Sequence, residues 1–347
     1  MRPAKSDAGR HITESGKPIL NPGFCIKAFA LVLAGALAGP VFAQGLADSY
    51  PTKPVTLIVP YSAGGNTELE ARLYAQKLGE SLGRPVVLYF KPGAGTTVGT
   101  AYVAKAPPDG HTLLTISSAF ATAPAFYKDL PYDPVKDIAP ISLMNKRTIV
   151  FLLHPSLPFK NIAEYVAFAR ANPGAIIFAT SGAGGATHLG GAQLGMATTT
   201  EVTFVHYKGA AQMATDLVAG RVNATFNALS TSLPQIRSGK LKVLAISSIE
   251  RSPLLPGMQT IAEQGVPGFD YSSYMGIVAP GGTPVGIINR LSLELQKIAK
   301  SPEVIQRLAA DGSLTVGSTP EQLRQFYLAE INQFRLLVQK TGIQLQE

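Results

Sequence analysis

The tightest constraint in the sequence is a unit that recurs. A short apolar, β-branched run enters a Gly- or Ser-rich loop, and the loop opens a helix whose apolar residues return every three or four positions. In the first copy, Val55-Thr56-Leu57-Ile58-Val59 reads as a buried strand, Pro60 ends it, and Gly64-Gly65 leads to Asn66-Thr67 at the helix start. Thr67 and Glu70 have the capping-box spacing, and Ala71, Tyr74, Ala75, Leu78 and Leu82 predict a helix from about Glu68 to Leu82. A helix start carries unpaired N–H groups and partial positive charge, and glycines admit a ligand close to the backbone. The loop therefore reads either as a carboxylate or phosphate cradle or as an ordinary strand-to-helix turn.

Two more copies follow. Pro85 to Phe90 is a strand that runs into Lys91-Pro92-Gly93-Ala94-Gly95, and Thr112 to Ser117 is a strand whose end, Ser117-Ser118-Ala119, opens a helix near Ala121 to Tyr127. Gly93 and Gly95 fit the dinucleotide fingerprint, but the third glycine falls at Gly99, one place late, and no acidic residue follows at the expected distance. A nicotinamide or flavin site is rejected, and no cofactor is expected. In a doubly wound parallel sheet the three loops share the C-terminal edge, where such sheets bind ligands.

The series restarts downstream. Ile141 to His154 is one long strand-like run, and Asn161 to Ala171 a helix stopped by Asn172-Pro173-Gly174. Then come strand Ala175 to Thr180, the loop Ser181 to Thr187, helix His188 to Ala197, strand Glu201 to His206, helix Ala210 to Ala219, and strands Arg221 to Asn227 and Leu241 to Ser247. A second long extended run, Phe269 to Ala279, precedes three helices: Pro284 to Lys300, Pro302 to Ala310 and Pro320 to Lys340. Two long runs, one leaving the first α/β unit and one returning, are what two domains joined by crossing strands require. The expected division is 44–152 plus 273–347 for one domain and 153–272 for the other. The cleft between them would be lined by Gly64, Gly65, Asn66, Thr67, Ser117 and Ser118 on one side and by the Ser181–Thr187 loop on the other, closing by hinge motion.

The N-terminus lies outside this pattern. A basic lead, an apolar run from Ala28 to Ala38 and the small-x-small triplet Val41-Phe42-Ala43 predict a secretory signal, residues 1–43, cut after Ala43. An uncleaved anchor would need roughly twenty apolar residues, and this run has about eleven. The only cysteine, Cys25, falls within the leader. The mature chain would thus hold no thiol for a disulfide, nucleophile or metal. The formal charge of +8 is concentrated partly in the leader, and the remainder is spread thinly. Without a basic run interleaved with aromatics, nucleic acid is a poor partner; a diffuse positive field suits an anionic small molecule slightly better.

Catalytic readings are weaker. Neither Ser62 nor Ser181 sits in a G-x-S-x-G elbow, although scattered triads escape sequence inspection. His111, His154, His188 and His206 show no paired metal-ligand spacing. His188, in the first turn after a Gly-rich loop, could donate to a bound anion or merely cap and pack. Tyr207, Phe226 and Tyr274 could flank a ligand or belong to the core. Asn227, at a strand end, is a better candidate than Asn223.

These residues also form a recognisable set. Pro51-x-Lys53-Pro54-Val55-x-Leu57-Ile58, Val59-Pro60-x-x-x-Gly64-Gly65-x-Thr67, Lys91-Pro92-Gly93-Ala94-Gly95, Pro108-Asp109-Gly110-x-Thr112-Leu113-Leu114 and Tyr132-Asp133-Pro134-x-Lys136-Asp137 occur in order. His154-Pro155-Ser156-Leu157-Pro158, Thr187-His188-Leu189, Tyr207-Lys208-Gly209, Asp216-Leu217-x-x-Gly220, Ser238-Gly239-Lys240-Leu241 and Ala279-Pro280-x-Gly282-Thr283-Pro284 follow. The set resembles the Bug-type extracytoplasmic solute receptors of tripartite tricarboxylate transporters and runs over nearly the whole mature chain.

The resemblance implies an α/β, two-domain periplasmic-binding-protein fold (type II-like). It also implies a non-catalytic receptor that holds a small organic acid through backbone N–H groups and passes it to membrane transporter subunits, with a monomer expected. The ligand contacts expected from the loops and strand ends are Tyr61, Ala63, Gly64, Gly65, Asn66, Thr67, Ser117, Ser118, Ala119, Ser181, Gly184, Gly185, Ala186, Thr187, His188, Tyr207, Asn227 and Tyr274. A periplasmic sensor subunit with the same cleft, or a secreted serine hydrolase, are the alternatives. The chain departs from the family pattern at Glu68, His206, Asn223, Asn227 and Tyr274, where Asp, Pro, Asp, Asp and Trp are usual. An amide at position 227 removes a repulsive charge, so Asn227→Asp is expected to weaken binding by about 1 to 3 kcal/mol if a ligand carboxylate is adjacent.

Overall fold

The computed structural model describes residues 49–63, 66–207 and 209–343; the proposed signal segment and Gly64-Gly65 lie outside these. Strand β1 (Val55–Val59) shows why the chain begins as it does. Leu57, Ile58 and Val59 are all buried, so a continuous apolar run suits a strand covered on both faces. β1 pairs in parallel with β2 (Val86–Phe90) and β3 (Thr112–Ile116), which puts the loops after all three strands on one edge. The sheet is then completed antiparallel by β10 (Ser273–Pro280), β4 (Ile138–Arg147) and the short β11 (Ser313–Thr315), in the order β11-β4-β10-β3-β1-β2. The three parallel strands carry their loops on one edge, as expected, and the returning strand with its partners makes the sheet mixed.

The long run read as one strand from Ile141 to His154 is two. β4 ends at Arg147, Thr148 is the step, and β5 (Ile149–Leu153) belongs to a second sheet. That sheet has the order β7-β6-β8-β5-β9, with β6 (Ile177–Thr180), β7 (Thr203–His206), β8 (Ala224–Ala228) and β9 (Lys242–Ile246). The polar stretch Asn145-Lys146-Arg147-Thr148 is the local mark of the break, with Leu143 and Met144 buried on one side of it and Val150 and Phe151 on the other, each pair in its own sheet. The two crossings are tied together: Ser247 N–H donates to Ile149 O at 3.0 Å and Tyr271 N–H to Ser247 O at 2.8 Å. Both sheets lie within one compact unit, residues 46–347.

Helices cover the sheets. α1 (Asn66–Leu82) buries Ala71, Tyr74, Ala75 and Leu78, the stripe read from the sequence. Its capping box does not form. Glu70 is drawn instead into an ion pair with Arg147 at 2.6 Å, a stronger partner than a terminal N–H. α2 (Thr97–Ala104) and α3 (Ser118–Phe126) follow β2 and β3; α4 (Ile162–Ala171), α5 (Ala186–Thr198) and α6 (Ala210–Val218) cover the second sheet. α7 (Leu229–Arg237) has no counterpart in the sequence reading; Pro234 inside it argues locally against a helix. α8 (Val285–Ala299), α9 (Pro302–Ala310) and α10 (Pro320–Thr341) pack back on the first sheet.

α10 shows how sequence makes such a helix. Thr319 and Gln322 form a reciprocal capping box, Pro320 starts it, and Gly342 ends it at φ 65°. Leu323, Tyr327, Ile331, Phe334 and Leu337 form its buried stripe. At about 2 kcal/mol per large apolar side chain, that face contributes on the order of 10 kcal/mol before the entropy of ordering it. No helix among the described residues is long and apolar enough to cross a membrane.

Candidate functional site

The loop after β1 runs Pro60, Tyr61, Ser62 and Ala63, the last two exposed, and α1 begins at Asn66-Thr67. Tyr61 reaches across to the loop after β3, where its hydroxyl hydrogen-bonds Ser117 Oγ. Burial pushes the Tyr61 phenol up, while the Ser117 bond and the Arg147 guanidinium pull it back down. Ser117 is the N-cap of α3 and accepts from Ala119 N–H at 3.3 Å. One tyrosine therefore links the first loop to the third.

In the second sheet, the loop after β6 is folded by its own polar groups. Ser181 N–H donates to Thr187 Oγ1 at 2.8 Å, and the two hydroxyls lie 3.1 Å apart. Gly182 (φ 154°) and Gly184 (φ 69°) supply the positive dihedrals the turn needs. Gly184 N–H donates to His188 Nδ1 at 3.0 Å, which leaves the imidazole proton on Nε2. Burial and then the neighbouring His206 ring, 4.6 Å away between centroids, push His188 down to about 4, so the ring is neutral. The start of α5 is pinned from outside by Tyr271, whose hydroxyl donates to Ala186 O. Gly185, its N-cap, offers no side chain. Ala186, Thr187 and His188 keep N–H groups with no acceptor among the described residues.

These two loops meet at a cavity of about 1050 Å³. Ser118 and Ala119 line it from the first sheet's side, and Gly184, Gly185 and Ala186 from the second. Gly95, Thr122, Tyr127 and Lys128 also line it and are absent from the sequence-based set. Gly95 had a signal, being part of the Lys91–Gly95 motif and left-handed at φ 57°; the other three lie on or just beyond α3, where nothing local marks a lining residue. Lys128 is the one charged lining side chain among the described residues, and no carboxylate lines the cavity.

Other expected residues are placed elsewhere. Tyr207 is turned to α6, its hydroxyl donating to Asp216 Oδ2 at 2.9 Å. Asn227 is half-buried and its amide donates to Ser232 Oγ at 3.1 Å, at the start of α7. Tyr274 is in the core at 4 % exposure, edge-on to Phe326, because β10 is covered by α10. The His188 ring faces Phe204 and His206 on the far side of the α5 start rather than this cavity. Ser181 is bonded to a threonine, not a histidine. No group of three metal-ligating side chains occurs among the described residues.

Comparison with known proteins accords with this geometry. Residues 70–343 match the family model described as "Tripartite tricarboxylate transporter family receptor". The chain is 34 % identical over 317 residues to Protein BugT of Bordetella pertussis, spanning 91 % of this chain and 96 % of that protein. An adipate-bound protein of R. palustris superposes with a TM-score of 0.70 at 32 % identity, covering 85 % of this chain and 99 % of that one. MatC from Rhodopseudomonas palustris, with bound malate, gives a TM-score of 0.66 at 29 % identity, covering 83 % and 100 %. With its two sheets, its paired loops and a match over most of its length, the chain belongs to the tripartite tricarboxylate transporter receptor family and has the fold of its periplasmic binding proteins.

Proposed function

We propose that this receptor captures a small dicarboxylate in the cavity between the loops after β3 and β6, and hands it to membrane transporter subunits. The lobes would be 44–152 with 273–347 and 153–272, closing about the Thr148 and Tyr271–Ser273 crossings, in a chain exported to the periplasm after cleavage behind Ala43. The observation that carries the reading is the character of the lining. Free N–H groups at the start of α5, the Ser118 region of α3 and Lys128 converge on a space without a single carboxylate side chain among the described residues. Such a lining favours an anion with two acceptor ends. Adipate and malate, the ligands named with two similar structures, set the size class to be tested.

The test is a thermal-shift and calorimetric panel on the mature chain with adipate, malate, citrate, benzoate and a neutral diamide. A ligand at one hundred times its Kd adds about 2.7 kcal/mol of stability, a shift of several degrees. A dicarboxylate should bind and be recovered chemically unchanged, and Lys128→Glu should weaken it several-fold. If the diamide binds as well as the diacid, or if the acid is turned over, the reading fails.

A further inference from the structure

A second cavity, of about 640 Å³, lies on the other flank of α5, between that helix, the edge strand β7 and the end of α10. Its size falls within the range of roughly 300 to 1,000 Å³ typical of small-molecule sites. The floor is apolar: Gly191, Ala192, Gly195, Met196 and Phe204. The glycines have packing reasons of their own. A Cβ at Gly191 would lie 2.8 Å from the Phe178 ring, and one at Gly195 3.0 Å from Thr200 O. Small residues on the floor therefore do not by themselves argue for a ligand.

His188 does. It is only 6 % exposed, lines this cavity, and has its Nδ1 occupied by Gly184 N–H. Its Nε2–H has no acceptor among the described residues, so it is a donor left open to whatever enters the cavity from solvent. The charged rim groups are Arg170, Lys340 and Glu201. Arg170 is spent, its Nε and Nη2 both donating to Thr198 O. Lys340 is exposed and enters no ion pair among the described residues; Glu201, likewise exposed and unpaired, is the one opposing charge on the rim.

We infer that this cavity is a second ligand site, separate from the dicarboxylate cleft, for a monocarboxylate with an apolar body. The body lies on the Gly191–Gly195 floor against Phe204, and the head accepts from His188 Nε2–H and is drawn by Lys340. The open donor offers an acceptor its hydrogen bond, and Lys340 and the Arg170 charge, two cations against the single Glu201 carboxylate, favour an acid over an alcohol.

The experiment uses octanoate, with 1-octanol as neutral control, on the isotope-labelled mature chain, following the Gly191 and Gly195 amides and the Met196 methyl by NMR. Octanoate should shift all three in a saturable way, with octanol at least several-fold weaker. His188→Asn places an amide oxygen where Nδ1 accepts and removes the Nε2 donor; it should weaken octanoate about tenfold. Lys340→Glu, at an exposed position in the last turn of α10, should weaken octanoate several-fold while leaving adipate binding unchanged. The inference is overturned if the three reporters do not move, if octanoate shifts only the Ala183–Ala186 loop, or if Lys340→Glu leaves its affinity as it was. Because adipate is read separately, failure here leaves the cleft reading standing, and the converse also holds.

Discussion

Replacing Glu70 by glutamine should be among the most damaging single changes in this protein. Glu70 Oε1 lies 2.6 Å from Arg147 Nη2, with side chains only 7 % and 13 % exposed, and Ser313 Oγ donates to the same oxygen at 3.3 Å. Arg147 is the last residue of β4, one step before the chain crosses at Thr148, so the pair anchors α1 to the crossing. At 2.6 Å and an effective dielectric of about 20 the attraction is about 6 kcal/mol, most of it cancelled by desolvation of the two ions. Glu70→Gln removes the attraction but leaves the guanidinium desolvated, so the expected loss is about 3 to 5 kcal/mol. With a urea dependence near 3 kcal/mol per molar for a chain of this size, the midpoint should fall by about 1 M or more. The paired change Glu70→Leu with Arg147→Met should recover most of the loss, because two apolar side chains need no partner. A midpoint shift for Glu70→Gln corresponding to less than about 1 kcal/mol would refute the reasoning, since the arginine would then be adequately solvated without its partner.

Two buried groups give opposing pH dependences. His188, held at about 4 by burial and by His206, is neutral when folded; the unfolded chain takes up its proton near 6.5. Stability should therefore fall as pH drops from about 6.5 to 4, by at most about 3 kcal/mol. Burial raises Glu330 to about 7, with the Asp270 charge adding to it and Tyr274 and Lys146 opposing. Its protonated form is favoured when folded, so stability should fall as pH rises from about 4.5 to 7, by a similar amount. The urea midpoint of the parent chain should be nearly flat between about pH 4.5 and 6.5, whereas Glu330→Gln should show it rising with pH and His188→Asn falling; parallel profiles in all three would contradict both assignments. Gly99→Ala should cost about 1 to 3 kcal/mol by thermal denaturation, because its Cβ would meet Pro60 Cβ at 2.8 Å and Lys91 O at 2.9 Å. Asn227→Asp should lower stability by about 1 kcal/mol through loss of the amide donor to Ser232 Oγ; if it instead leaves stability unchanged and weakens adipate tenfold in calorimetry, Asn227 acts on the ligand.

The repeated strand–loop–helix unit was legible because its signals are local. β1, β2 and β3, the stripe of α1 and the proline-started helices α8 to α10 all lie close to where periodicity and caps put them. What was not legible depended on partners distant in sequence. Glu70 fits a capping box by spacing, but Arg147 and Ser313 compete for it only once β4 and β11 are in place. The step at Thr148 leaves a local mark in the polar stretch Asn145-Lys146-Arg147-Thr148, but that β4 and β5 join different sheets is decided by strands far along the chain. Among the site residues, the loops after β3 and β6 were recognisable from Ser117-Ser118-Ala119 and Gly184-Gly185-Ala186, yet Lys128 and Tyr127 carry no mark that they turn toward the same space.

By itself the sequence determined the class of architecture, the loop edge of each sheet and the kinship to solute receptors, because those follow from short-range periodicity and from motifs read residue by residue. Tertiary structure decided which way each side chain points. Tyr274 went into the core because α10 covers β10, Tyr207 turned to Asp216, and His188 swung to the far flank of α5 because Gly184 N–H claims its Nδ1. A side chain goes where its best partner and its packing allow, and both are supplied by segments that the local sequence does not contain.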